Sequence, residues 1–117
     1  MAYATFEDLE VWKRSCNLAV CVYRALQTAR DFGLRDQMQR AAVVIASNMA
    51  EGSERPPKDS KRFLRIDSGS AAELRTQAYI AAKVGVLTNE QMHHVVDETK
   101  GIGRMLTGLA KSLKTEN

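Results

Sequence analysis

Aromatic residues are scarce in this chain: one Trp, three Tyr and three Phe among 117 residues. That excludes a platform on which successive nucleobases stack, because such surfaces need several exposed rings. Proline occurs twice and glycine seven times, too few for a collagen-like or low-complexity chain. The two cysteines are Cys16 and Cys21. Five positions apart on one helix, they point roughly 140° away from each other and cannot bridge. With no C-x-x-C and no second ligand pair, they read as small packing residues. The longest apolar run, Ala41 to Ala46, has six residues, far short of the ~20 that span a bilayer. The opening MAYATFEDLE lacks a basic-then-apolar signal. A soluble, cytoplasmic protein with no membrane partner is therefore expected.

What is present suits one helical domain. A chain of 13.0 kDa buries roughly 65% of its unfolded surface, and with 44% hydrophobic and 26% charged residues it should fold around a single core. Leu9, Trp12, Cys16, Ala19, Tyr23 and Leu26 recur at spacings of three and four, which predicts a helix over about 6–28 with this row as its seam. Val11, Leu18 and Val22 form a second apolar row on the same helix. Thr5 and Asp8 make an N-cap pair, and Gly33 should supply the break before the next segment. The second helix, about 34–50, has Leu34, Met38, Ala41, Ile45 and Met49 on one stripe. Ala42, Val43, Val44, Ala46 and Ala50 fill most of its remaining circumference. A helix apolar nearly all round must be covered nearly all round, and a lone four-helix bundle covers one stripe per helix. The surplus predicts self-association.

EGSERPPKD, from Glu51, breaks the pattern, and Pro57 can open the third helix, about 57–84. Its seam is Leu64, Asp67, Ala71, Leu74, Ala78 and Ala81, with a centre, Ser68 to Ala72, small enough for another backbone to approach. Gly85 ends it. Thr88 and Gln91 form a capping box for the fourth helix, about 88–113, with the seam Met92, Val95, Thr99, Ile102, Leu106, Leu109 and Leu113. No strand-like alternation appears. These elements predict an all-α, up-down-up-down antiparallel four-helix bundle with a left-handed twist, as one domain over 1–117.

The net charge is +3, and all of it resides in residues 54–65. Arg55, Lys58, Lys61, Arg62 and Arg65 there face only Glu54 and Asp59. Lys58, Arg62 and Arg65 share one helical face. Repeated by symmetry in an oligomer, such a patch attracts a polyanion, although a helix start rich in Lys and Arg is also an ordinary solvated surface. Gln37, Arg40, Asn48, Glu51, Asp67 and Glu73 lie in or beside apolar stripes of helices expected to pack together. They predict a structural polar network in which Arg40 pairs with Glu51 or Glu73.

Signatures of chemistry are absent. Glu90 and His93 have the spacing of one half of a di-iron carboxylate site, but the other half is missing, and Glu90 sits where a helix start favours a carboxylate. His93 and His94 are about 100° apart on a helix, a poor metal pair. No H-E-x-x-H, P-loop, G-x-S-x-G or dinucleotide fingerprint occurs. No catalytic residue, metal or cofactor is expected.

FEDLEVWKRS, GLRDQMQRAAVVIASNMAEGSER, RFLRI and GSAAEL together resemble the bacterial four-helix-bundle family of 23S rRNA intervening-sequence, or S23, proteins. The densest part is QxxRAxxxIxxNxAEG, here Gln37, Arg40, Ala41, Ile45, Asn48, Ala50, Glu51 and Gly52. The resemblance implies a four-helix protomer, a ring-like homo-oligomer expected to be a pentamer, and an origin linked to insertions in ribosomal RNA genes. The related accessory variability determinant of diversity-generating retroelements implies nucleic-acid contact as well. Asp67 departs from the small apolar residue usual in the family, and Pro57 stands near a Ser that often caps the third helix. The expected function is a non-enzymatic, homo-oligomeric bundle binding nucleic acid, with structured RNA such as rRNA the expected ligand and Arg55, Lys58, Lys61, Arg62 and Arg65 its contacts. The alternative is a protein-docking scaffold without direct nucleic-acid contact.

Overall fold

Residues 5–113 are described by a computed structural model. Among them, a 3-10 turn over Phe6–Asp8 leads into four α-helices: α1 Glu10–Ala25, α2 Phe32–Ser53, α3 Pro57–Lys83 and α4 Asn89–Ser112. Each helix packs on the next and α4 closes on α1, while the diagonal pairs stay apart. This is the antiparallel bundle that short connections impose.

The helix ends follow from local chemistry. Thr88 Oγ1 accepts the Gln91 amide at 3.0 Å while Gln91 Oε1 accepts the Thr88 amide at 2.9 Å, the reciprocal box expected for α4. Gly85 has φ +81° and ends α3 as a Schellman turn, with Val86 N–H on Ala81 O at 2.8 Å. Pro57 occupies the first turn of α3. Four boundaries differ from expectation: α1 stops at Ala25 and not near 28, α2 runs on through Gly52 to Ser53 and not to about 50, and both helices start elsewhere. The Thr5–Asp8 pair caps the 3-10 turn, where the Thr5 amide donates to Asp8 Oδ2 at 3.3 Å, and Leu9, extended at ψ 124°, separates that turn from α1. Gly33 lies inside α2, because the Asp31 carboxylate accepts the Leu34 amide at 3.0 Å and starts the helix before it.

The seams of α2, α3 and α4 match the sequence reading. Met38, Ala41, Ile45 and Met49 are buried with Leu64, Ala71, Leu74, Ala78 and Ala81, and with Val95, Ile102 and Leu106. In α1 the rows are exchanged. Val11, Leu18 and Val22 face the core with Ser15 and Leu26, whereas Trp12, Cys16 and Ala19 line an open groove and Tyr23 is exposed. Both rows are apolar, so periodicity alone does not choose between them.

The hydroxyls of Ser15 and Thr99 are satisfied by their own helices: Ser15 donates to Val11 O at 2.7 Å and Thr99 to Val96 O at 2.9 Å. Asp67 differs. It is fully buried, yet neither carboxyl oxygen has a hydrogen-bond partner among the described residues. Burial pushes its pKa up to about 8, and the Asn48 amide on α2 opposes that shift only in part. At neutral pH it packs as a protonated acid.

Close backbone approach occurs at a different place from the one the small residues suggested. Gly69, in the centre of α3, is exposed and a Cβ there would meet nothing within 4 Å. Between α2 and α3 the crowded glycine is Gly52, whose Cβ would come to 2.7 Å from that of Phe63.

Candidate nucleic-acid interface

The corner between α2 and α3 is built by hydrogen bonds that leave little freedom. Ser60 Oγ donates to Gly52 O at 2.6 Å and lies 3.1 Å from Arg55 O, and the Arg55 amide donates to Gly52 O at 3.0 Å. The chain therefore reverses within three residues, and the first coils of α3 project their cations from one end of the bundle.

The five basic residues do not form one undivided patch. Arg55 is turned toward α2: its guanidinium pairs with Glu51 at 3.3 Å and lies 5.9 Å from the centroid of the Phe63 ring. Arg62 shares a shallow groove with Arg55, Asp59, Phe63 and Ile66. Lys61 and Arg65 look the other way, into a groove of about 320 Å³ between α3 and α4 whose far wall carries Thr107 and Lys111. Lys58 is exposed between the two. Among the described residues, Lys58, Lys61, Arg62 and Arg65 make no ion pair. A cation not held in an ion pair keeps its charge available to a polyanion.

Lys111 escaped the sequence reading because charge was counted along the chain, where residues 54–65 are dense and α4 is not. Its distance of seven from Arg104 and four from Thr107 was the available signal.

The expected polar network does not form within a protomer. Gln37 and Arg40 are exposed, Glu51 pairs with Arg55, and Glu73 accepts from Gln77 Nε2 at 3.2 Å. Arg40 has no ion pair among the described residues. It lies one residue before Ala41 and two after Met38, off the buried stripe, and its side chain is turned outward. Asn48 alone of the group approaches a buried partner, Asp67. The ion pair that does tie helices together is Arg14 with Glu98, which joins α1 to α4.

Other candidates resolve simply. Cys16 and Cys21 are both free and half-buried, and burial raises the Cys16 thiol. Glu90, His93 and His94 are exposed. Among the described residues no three His, Cys, Asp or Glu side chains gather as metal ligands, and no helix is long and apolar enough to cross a membrane.

A second feature is the groove between α1 and α2, about 350 Å³, lined by Phe6, Trp12, Cys16, Ala19, Val43 and Ala46. Phe6 stands edge-on to Trp12, centroids 5.2 Å apart, which holds the N-terminal turn against α1. Val43 remains 40% exposed beside it.

A four-helix bundle with an apolar groove on one edge and a cationic corner at one end defines the class of protein. Residues 7–108 match the family model of the 23S rRNA-intervening sequence protein, and the chain belongs to that family. It is also similar to a protein of unknown function from the S23 ribosomal protein family of Bacteroides thetaiotaomicron VPI-5482, whose crystal structure is at 1.70 Å resolution. The two share a TM-score of 0.80 at 21% identity, over 87% of this chain and 99% of the other. That likeness shows a common fold. None of the curated proteins compared with the chain matches it.

Proposed function

We propose that this protein is a non-enzymatic, self-associating bundle that binds nucleic acid, with structured RNA as its ligand. The observation that carries this reading is the set of unpaired cations Lys58, Lys61, Arg62 and Arg65 at the α2–α3 corner, joined there by Arg55. With few exposed rings, contact is to phosphates, ribose hydroxyls and shape, and not by stacking. The apolar α1/α2 groove supports burial against a second copy, in a ring for which a pentamer is the proposed size. Assembly multiplies the cationic corners and with them the attraction for a polyanion.

Titration of structured rRNA fragments at several salt concentrations tests the proposal. Binding should weaken linearly on a log–log plot against salt, and Arg62→Glu with Arg65→Glu should remove most of it. Absence of binding at low salt, or binding indifferent to both substitutions, refutes it.

A protein-docking scaffold is the second reading, favoured by the same α1/α2 groove. It requires a protein partner whose co-purification survives nuclease treatment.

A further inference from the structure

The cations at the corner continue along the bundle. On α3, Lys61, Arg65, Ser68, Ala72 and Arg75 follow one another at spacings of four and three, one straight stripe facing α4. On α4, Lys100, Arg104, Thr107 and Lys111 do the same. Lys61, Arg65 and Ser68 line one groove with Thr107 and Lys111, where the corner ends of the two stripes meet; Arg75, Lys100 and Arg104 continue the stripes beyond it. Lys100, Arg104 and Lys111 are exposed, and none of the six cations makes an ion pair among the described residues. Asp97 is the one carboxylate on either stripe, so the local excess is greater than the +3 of the whole chain. Gly103 lies beside Arg104, and a Cβ there would meet nothing within 4 Å. Among the described residues, no side chain is recorded over Gly103. This edge also lies opposite the apolar α1/α2 groove, because only sequential helices and the α1/α4 pair touch. A copy seated on α1/α2 through any face other than its own α3/α4 edge leaves it open.

We propose that the α3/α4 groove seats the phosphate backbone of a double-stranded RNA, with Lys100, Arg104 and Lys111 contacting phosphates together with Lys61 and Arg65. This rests on the nucleic-acid reading above and names the surface and the form of the ligand. Three arguments favour a double helix. From Lys100 to Lys111 α4 rises about 16 Å, a straight rail that suits a stiff, regularly charged rod. Double-stranded RNA is a regular A-form helix with a phosphate at every nucleotide of each strand, so several fall within reach of each stripe without bending. Tyr79, beyond Arg75 on α3, and the imidazole of His93, beyond Asp97 on α4, are the two rings in line with the stripes, one at the far end of each, so a single strand would find little to stack on along the cations.

The test compares the full chain with a triple variant, Lys100→Ala, Arg104→Ala and Lys111→Ala, binding a short blunt-ended RNA duplex across a range of salt concentrations. All three positions are exposed, and unchanged circular dichroism verifies folding. Loss of three phosphate contacts should reduce the salt slope by about 2–3 and weaken binding about tenfold or more at fixed salt. Arg24→Ala, on exposed α1 surface, should change neither. A slope unchanged in the triple variant, with binding still lost in Arg62→Glu plus Arg65→Glu, overturns the groove and leaves the corner. Tighter binding of the single strand than of the duplex overturns the double-helix assignment. No duplex binding by the wild-type chain, with rRNA fragments also unbound, removes the underlying reading and this inference with it.

Discussion

Arg14 clasps Glu98 across the α1/α4 boundary through two parallel bonds, Nε to Oε1 at 3.0 Å and Nη2 to Oε2 at 2.9 Å, while its Nη1 reaches Met105 Sδ at 3.6 Å. The guanidinium lies over Gly101, where a Cβ would collide with it. A glycine in mid-helix costs about 1 kcal/mol relative to Ala, and here it makes room for the clasp.

That pair should be measurable as a coupling. A double-mutant cycle of Arg14→Met and Glu98→Gln is expected to give about 1 kcal/mol in urea unfolding, because both side chains retain some exposure and solvent screens them. Salt should reduce it. The Arg14 guanidinium holds the Glu98 carboxyl below its ordinary range, so the folded pKa lies under the unfolded one of about 4.3. The stability it contributes is present above that unfolded pKa and is lost as pH falls through the folded pKa.

Asp67 titrates with the opposite sign. Its folded pKa, about 8, exceeds the unfolded value of about 3.9. Between these limits the unfolded chain has released a proton that the folded chain retains. Stability from this group is therefore complete below about pH 4 and declines as pH rises, until the folded state also ionises near pH 8. Asp67→Asn should flatten this part of the profile and stabilise the protein at pH 7 by an amount on the order of 2 kcal/mol. Thermal melts from pH 5 to pH 8 check it; parallel profiles for wild type and variant would show that Asp67 is not protonated in the fold.

Two glycines of α2 and α4 should respond oppositely to alanine. Gly52→Ala places a Cβ 2.7 Å from that of Phe63 and disturbs the Gly52 carbonyl that receives Ser60; a loss of about 1–3 kcal/mol is expected. Gly108→Ala meets open space and should gain up to about 1 kcal/mol from helix propensity. Denaturant midpoints of the two variants provide the comparison.

Self-association through α1 and α2 makes a further prediction. Ala46→Glu places a charge in the groove beside Trp12 and Val43 without touching the core. It should leave helicity unchanged and reduce the sedimenting mass to that of one 13.0 kDa protomer. A wild-type chain already sedimenting as a single protomer at high concentration would show that the groove is not covered by a copy.

Much of the bundle was legible because single helices announce themselves in one dimension. The Thr88–Gln91 box, the Gly85 stop and the α3 seam through Asp67 and Leu74 depend on residues a few positions apart, and each stands where local spacing puts it. What spacing could not supply were relations between helices. Arg14 and Glu98 are 84 residues apart, Gly101 matters only because Arg14 arrives over it, and Lys111 joins Lys61 only when α4 folds back on α3. Arg40 was assigned a buried partner for the same reason: its apolar neighbours suggested burial, and only the packed bundle shows which side of α2 remains outside.

The chain alone thus determined that there are four amphipathic helices, where they turn, and that residues 54–65 hold the excess positive charge, since each of these is a property of near neighbours. Tertiary packing decided which of two apolar rows of α1 enters the core, and that a carboxyl at 67 is sealed with only the Asn48 amide near it. It also decided that the cations divide between an α2 side and an α3/α4 groove. Burial and the field at a charge depend on what other helices bring within a few ångströms, and that is set by the packed bundle.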